Sequence, residues 1–506
     1  MDTPGKASKA LDDTLLETRL FINGQLRPYL QYMAASSPAR MCCHSPEDNS
    51  LITEDIHKAV KEDVDAAVAA ARIGFTKWRS TPPAVRTAVL HKFADLIEAH
   101  GDKIGLLEAA CAGKPVQAFH GFEKPLATSV FRYYAGWCGK LGGESFPAED
   151  GTGLLKIVQR EAIGVCAAIV AFNGPIGLMA IKAAPCLAAG NSIIIKASEK
   201  SPLSSLYLGK LVNEAGFPPG VVNFISGDGE TGALLSAHMD IDHISFTGSV
   251  GVGKKVAQAA AQSNLKRVVL ELGGKSPSII FPDANLDIAT QWCAKGITAF
   301  SGQMCFASSR LYVHRDIKAE VVDRMKAYFE DLYASFGDSL DETTVYPPMV
   351  DQAHFESVSG FIDRGKKEAT LVTGGERLFD KGCWIRPTIF VDPETDARIS
   401  KDEIFGPVVV ISSFTDEDEV VNAANSTIYG LHSAVFTQDI NRAMRVAGKI
   451  CSGTVCINCC ATVDPHVPFG GAARVDGDEN SERSVHSMSA SLEGIEEYTE
   501  TKSMLI

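Results

Sequence analysis

Apolar and polar positions change their period along this chain, and the change divides it. Over 62–78 and 84–99, alanines, leucines and isoleucines recur at three- and four-residue spacing, which predicts two amphipathic helices. Ahead of them, Phe21-Ile22-Asn23-Gly24-Gln25 predicts a strand that turns at Asn-Gly. From 164 the pattern alters. Short apolar or β-branched runs at 164–170, 192–196, 221–226 and 243–246 alternate with helix-like stretches at 177–188, 202–215, 230–238 and 252–262. Strands that are apolar on both faces, alternating with helices, indicate a parallel sheet covered on both sides. This is the doubly wound α/β class, where ligands bind beyond the carboxyl ends of the strands.

A second α/β block runs from about 272 to 470, with strands predicted at 311–313, 388–391 and 408–411. Residues 472–493 are rich in Ser, Glu, Asp and Gly and predict a loop. Residues 496–502 have strand character. The first thirteen residues are small and polar and predict a frayed start. No internal repeat is visible.

A chain of 506 residues is too long for one core and implies two or three domains. Apolar content of 45% and charged content of 22% fit an ordinary globular protein. The net charge of −14 argues against nucleic acid or an anionic membrane surface as a partner. No apolar run reaches the roughly eighteen residues a membrane span needs. Thirteen cysteines, odd in number and scattered, do not make a disulfide framework, and no secretory signal precedes them. They point to a reducing, cytoplasmic location. The twelve histidines lack metal-ligand spacing, and Cys456 with Cys459 and Cys460 has no second half of a zinc site, so no metal is expected.

Chemistry concentrates in a few places. Cys305 follows Phe300-Ser301-Gly302-Gln303-Met304. A thiolate there is a nucleophile if its site supplies a base or lowers its pKa, and Gly302 permits close backbone approach. Glu271 ends an apolar strand-like run and precedes Gly273-Gly274, where a carboxylate with apolar neighbours becomes a base near neutral pH. Asn173 follows the strand ending at Val170, and its amide can donate to an oxyanion; on its own, a plain Asn-Gly turn is the favoured account. Phe246-Thr247-Gly248-Ser249 closes a strand and opens a helix, which suits a phosphate or plain N-capping by Ser249. Lys196 and Glu199 end another strand, where they can hold the hydroxyls of an adenosine ribose, and Glu199 would repel a 2′-phosphate.

Together these motifs resemble the aldehyde dehydrogenase superfamily. The match runs in order from about Phe21 to Lys502 through Leu187-Ala188-Ala189-Gly190-Asn191, the 214–223 segment, Phe246 to Ser249, Leu270 to Lys275, Gly302 to Cys305, Glu403-Ile404-Phe405-Gly406-Pro407-Val408 and Pro468-Phe469-Gly470-Gly471. The resemblance implies NAD-dependent oxidation of an aldehyde to the acid through a thiohemiacetal and a thioester. It makes Cys305 the nucleophile, Glu271 the base for deacylation, Asn173 the oxyanion donor and Lys182 part of a proton path. Phe172, Lys196, Glu199, Phe246, Gly248, Ser249, Glu403 and Phe405 would surround NAD. Gly174, Leu178, Ile181, Ala299 and Phe469 would line the aldehyde tunnel. The implied domains are a cofactor domain (1–142 and 163–271), a catalytic domain (272–471) and a small β oligomerisation element (143–162 and 486–506) that builds a homodimer or homotetramer.

Three departures stand out. Gly174, Ile181 and Ala299 occupy tunnel positions where relatives carry bulkier side chains, which implies a wide pocket and a bulky aldehyde. After Gly471 the usual sequence is replaced, so the family's second proton-path glutamate has only Glu479 and Glu482 as candidates. Lys-Pro-x-Glu has become Lys196-Ala197-Ser198-Glu199. Such drift suggests a pathway-specific enzyme of secondary metabolism. Two other readings stay open: a CoA-acylating relative, which commonly lacks the base that Glu271 supplies, and a catalytically silent binding protein on the same fold.

Overall fold

The computed structural model describes residues 7–12, 15–27, 39–148, 153–471, 488–489 and 491–506. Two seven-stranded sheets organise it. In the first, the strands run Arg267–Glu271, His243–Thr247, Val165–Ile169, Ser192–Lys196, Val222–Ile225, Leu20–Ile22 and Gln25–Arg27. The first five are parallel, and Leu20–Ile22 joins them antiparallel through Phe21 opposite Phe224.

The burial pattern explains why these strands read as unbroken apolar runs. Side chains alternate across a sheet with period two. Cys166, Ala168, Ile193, Ile195 and Phe224 enter one core; Val165, Ala167, Ile169, Ile194 and Ile225 enter the other. Both faces are covered, so apolar side chains fill most positions of the central strands. At the edge, the expected Asn-Gly turn is present, with φ of 55° at Asn23 and 75° at Gly24, and Leu20–Ile22 pairs with Gln25–Arg27 across it.

Strand order reverses between Val165–Ile169 and His243–Thr247. Chains leaving these two strands diverge to opposite sides and open a crevice at the carboxyl edge. Residues 170–174 and 248–249 follow directly, so the fold itself puts Asn173 and Gly248 at one crevice.

The second sheet runs Thr370–Thr373, Thr388–Val391, Val408–Phe414, Arg310–His314, Pro277–Ile280, His432–Phe436 and Thr454–Ile457, parallel except for the first strand. Three of these strands were legible as apolar runs. Pro277–Ile280 is only four residues long, and His432–Phe436 opens on a histidine and a serine. Those polar groups are buried, and the His432 imidazole meets the Cys456 thiol at 3.3 Å on the neighbouring strand. Residues 272–276 are the short link between the two sheets, so Glu271 lies at the seam.

A third, three-stranded sheet pairs Lys156–Ala162 with Glu144–Phe146 on one side and Thr499–Leu505 on the other, all antiparallel. The terminal strand begins at Thr499, not at 494 or 496. Ser491–Glu496 is a short helix instead, because buried Ile495 and Tyr498 lie three residues apart with exposed or half-buried Glu496 and Glu497 between them. The expected loop at 472–493 is also only partly a loop: Met488–Ser489 pairs with Phe469–Gly470. Residues 472–487 and 490, including Glu479 and Glu482, lie outside the described residues. Near the start, Ala7 is buried against Ala109 and Ala110, a close approach that small side chains allow, so this part of the first segment is not frayed.

Candidate active site

The loop that leads to Cys305 is shaped by backbone conformation. Phe300, Ser301 and Gly302 all take left-handed φ, at 50°, 52° and 70°. The two non-glycine residues are strained there by roughly 1–3 kcal/mol each. The segment 347–350 holds them in place. Ser301 Oγ donates to the Pro347 carbonyl, Gln303 Nε2 donates to the Phe300 and Pro348 carbonyls at 3.1 and 3.0 Å, and Gln303 Oε1 accepts from Val350 N–H at 2.9 Å. Gly302 admits the Gly406 carbonyl into the space a Cβ would fill, 2.1 Å away. This conserves no freedom; it fixes Cys305 against the rest of the site.

The Gly273-Gly274 pair after Glu271 has the same logic. A Cβ at 274 would lie 1.9 Å from the Cys305 carbonyl oxygen, and one at 273 would lie 2.0 Å from the Glu403 carboxylate. Two glycines therefore let the seam between the sheets touch both the nucleophile's backbone and Glu403. The Gly274 N–H donates to Glu403 Oε1 at 2.8 Å.

These residues surround one cavity of about 1100 Å³. Of the residues singled out from the sequence, Cys305, Asn173, Phe172, Gly174, Leu178, Ile181, Lys196, Glu199, Phe246, Gly248, Ser249, Ala299, Glu403, Phe405 and Phe469 line it. Glu271 and Lys182 do not. Both are buried and outside that lining, though Glu271 directly precedes Leu272 and Gly273, which belong to it, and is close enough to act on Cys305 through charge. Glu271 raises the pKa of Cys305 and partly offsets the lowering of Lys182.

The electrostatics follow from burial. Loss of water pushes the Cys305 thiol far up, and the nearby Glu403 and Glu271 carboxylates push it further. Cys305 is therefore held as the thiol and needs a base at the moment of attack. Burial lowers the Lys182 ammonium, which donates to Ser245 Oγ at 2.5 Å. Glu403 is raised to about 7 by burial, against the opposing pull of the Gly274 N–H and Lys275. Asn173 Nδ2 donates to the Gln303 carbonyl at 2.9 Å, two residues before Cys305.

In one part of the cavity, Lys196 Nζ meets Glu199 Oε2 at 3.1 Å. Gly248 leaves room for the Phe246 ring, which a Cβ would meet at 2.5 Å. Ser249 is the N-cap of helix Val250–Gln262 but makes no capping bond through its side chain, so simple capping does not account for it. In another part, Phe172, Phe405 and His354 form a cluster of edge-packed rings with centroids 5.8–6.0 Å apart. His354 Nε2 also meets the Phe405 carbonyl at 2.7 Å, which supports Phe405 at its left-handed φ of 56°. Phe122, Leu126, Phe306 and Val463 also line the cavity, besides the expected residues.

Several of these were missed from sequence. His354 sits in no motif and reaches the site through the fold. Val463, only six residues before Phe469, could have been found by following the tunnel argument one loop further. Among the described residues no group of three His, Cys, Asp or Glu could hold a metal ion, and no helix is long and apolar enough to cross a membrane.

Comparison with known proteins agrees with this arrangement. Residues 32–504 match the aldehyde dehydrogenase family. The chain is 43% identical over 432 residues to an aldehyde dehydrogenase of Emericella nidulans, covering 84% of this chain and 85% of that one. It is 41% identical over 461 residues to retinaldehyde dehydrogenase 3 of Homo sapiens, covering 90% and 88%. Among solved structures, PnpE from Pseudomonas sp. WBC-3 in complex with nicotinamide adenine dinucleotide superposes with a TM-score of 0.90 at 36% identity, covering 97% of this chain and 98% of that one.

Proposed function

The chain belongs to the aldehyde dehydrogenase family and oxidises an aldehyde to the carboxylic acid, and we propose that it does so on a bulky apolar substrate with NAD, using Cys305 as nucleophile. The observation that carries this reading is the meeting of Cys305, Asn173 and the Gly273-Gly274 seam at one cavity. The Cys305 sulfur attacks the carbonyl carbon as its proton passes to a base, for which Glu271 lies nearby. The oxyanion forms beside Asn173. The amide has two N–H donors and spends one on Gln303, so the second serves the oxyanion, and such a donor is worth roughly 3–4 kcal/mol in a dry site. Bound NAD supplies the hydride acceptor, which leaves the acyl group on Cys305 as a thioester. Lys182, buried close to Glu271, carries the thiol's proton onward and returns Glu271 to the carboxylate. Glu271 then takes a proton from water, the water oxygen adds to the thioester carbon, and the acid leaves as that proton passes from Glu271 to the departing Cys305 sulfur.

The residues fit the cofactor. Lys196 and Glu199 suit the adenosine ribose, Gly248 and Ser249 the pyrophosphate, and Glu403 and Phe405 the nicotinamide end, with Phe172 and Phe246 forming apolar walls. The human relative named for retinaldehyde supports a bulky substrate, as do Gly174, Ile181, Ala299 and Val463 in one wall. The division into 1–142 with 163–271 for cofactor, 272–471 for catalysis and 143–162 with 486–506 for assembly belongs to the same proposal. So does a homodimer or homotetramer built through the outer strands of the third sheet, and so does a reducing, cytoplasmic location for thirteen free thiols. The test is Glu271→Gln: acyl-enzyme should accumulate, whereas wild-type steady-state rates would remove Glu271 from this role.

A further inference from the structure

We infer that the buried ion pair of Lys114 with Glu123 positions the reacting centre, by fixing the helix that follows Asn173 and the loop that precedes Cys305 with one set of contacts. The inference rests on the roles proposed above for Asn173 and Cys305.

Helix Pro175–Ala188 starts without a cap of its own. Its N-cap residue is Gly174, which has no side chain, and its first residue is Pro175, which has no N–H. The next N–H groups must still be satisfied, because an unpaired buried donor costs about 1–3 kcal/mol. Glu123 supplies the acceptor from a separate turn: its Oε1 accepts from Ile176 N–H at 2.8 Å and Gly177 N–H at 3.0 Å. A carboxylate also suits the positive end of a helix.

A buried carboxylate needs a counter-charge. Lys114 provides it, pairing with Glu123 Oε2 and, at 2.8 Å, with Glu108 Oε2. Ser204 donates its hydroxyl to Glu108 Oε1. Each oxygen of both carboxylates thus has a donor, and all three charged residues are at most 4% exposed. Lys114 also lies 5.0 Å from the centroid of the Phe300 ring. Phe300 is the first of the three left-handed residues that lead to Cys305. One cation therefore touches the nucleophile loop through an aromatic face and the Asn173 helix through Glu123.

Both residues also line the cavity. A Cβ at position 174 would lie 3.8 Å from Glu123 Oε1, so glycine there leaves the pair open to the cavity that it lines. In that apolar setting the pair holds its geometry more firmly than it would in water.

Three variants test the inference: Glu123→Ala, which removes both the cap and the charge; Glu123→Gln, which keeps an acceptor for the two N–H groups; and Lys114→Met, which keeps the stem and loses the cation. The measurements are the single-turnover acylation rate, KM, the NAD dissociation constant by fluorescence, and the thermal unfolding midpoint. A displaced reacting group costs up to about 100-fold in rate. Glu123→Ala should lose acylation rate on that scale, with NAD affinity within about twofold of wild type. Glu123→Gln should recover most of the loss, and Lys114→Met should lose rate without a matching rise in KM. If Glu123→Ala does not fold, Lys114→Met carries the test, with Glu123→Gln as its control. Lowered thermal stability with acylation rates within about twofold of wild type would overturn the inference and leave the cluster a purely structural one. Cys305→Ala separates the two proposals: residual oxidation there sinks the catalytic reading, while an inactive Cys305→Ala beside an unimpaired Lys114→Met sinks only this one.

Discussion

The Asn173 amide donates to the Gln303 backbone carbonyl across 130 positions of sequence, at 2.9 Å. This bond ties the crevice of the first sheet to the loop that carries the nucleophile. It uses one of the two amide N–H donors and leaves the other available. In the proposed roles, the oxyanion donor Asn173 and the nucleophile Cys305 are thus held near each other before substrate arrives, which is the condition under which such a donor is effective.

Pocket width is tested at residue 174. A Cβ there would meet only Leu178 at 3.7 Å and Glu123 at 3.8 Å, so a larger side chain is accommodated at its root and projects into the cavity. In Gly174→Phe the specificity constant for a bulky aldehyde should fall relative to that for propionaldehyde by about tenfold or more, with NAD affinity as the control for general damage. An unchanged ratio would mean that the substrate does not pass residue 174.

Cofactor choice is tested at Glu199. Its carboxylate, paired to Lys196 at 3.1 Å, would oppose a 2′-phosphate by about 1 kcal/mol or more, or about tenfold in affinity. Wild type should prefer NAD to NADP by at least that factor, and Glu199→Ser should lose most of the preference. A wild-type preference for NADP, or full discrimination in the variant, would contradict the assignment.

Glu403 gives a pH signature. Its pKa is raised to about 7, so it is a carboxylate above that pH and a carboxylic acid below it. Only the carboxylate accepts hydrogen bonds from both ribose hydroxyls. NAD affinity should therefore weaken as pH falls through about 7 in wild type, and this dependence should vanish in Glu403→Gln. Equal titration in both proteins would place the responsible group elsewhere.

Much of this was legible in the chain, for identifiable reasons. The first sheet was readable because its central strands are covered on both faces, as Val165 to Ile169 show by sending alternate side chains into two different cores. Cys305 and Glu271 were readable because each stands beside glycines whose local purpose is close approach. The Lys114, Glu108 and Glu123 cluster was not, because a charged residue buried by its partners looks no different in sequence from a solvated one. His354 was hidden for a similar reason: its contacts with Phe172 and Phe405 span 182 and 51 positions, and no local spacing encodes them. The helix Ser491–Glu496 was not legible, because its first residues fall in the Ser- and Glu-rich stretch that reads as a loop.

The central claim is that the acyl group rides on Cys305. The direct measurement is mass spectrometry of peptides from enzyme quenched during turnover, with Glu271→Gln used to raise the acyl-enzyme level. The account predicts an acyl adduct on the peptide containing Cys305, lost in Cys305→Ala together with aldehyde oxidation, while NAD binding persists. An adduct on Cys111, Cys293, Cys460 or any other thiol, or continued oxidation by Cys305→Ala, would contradict it.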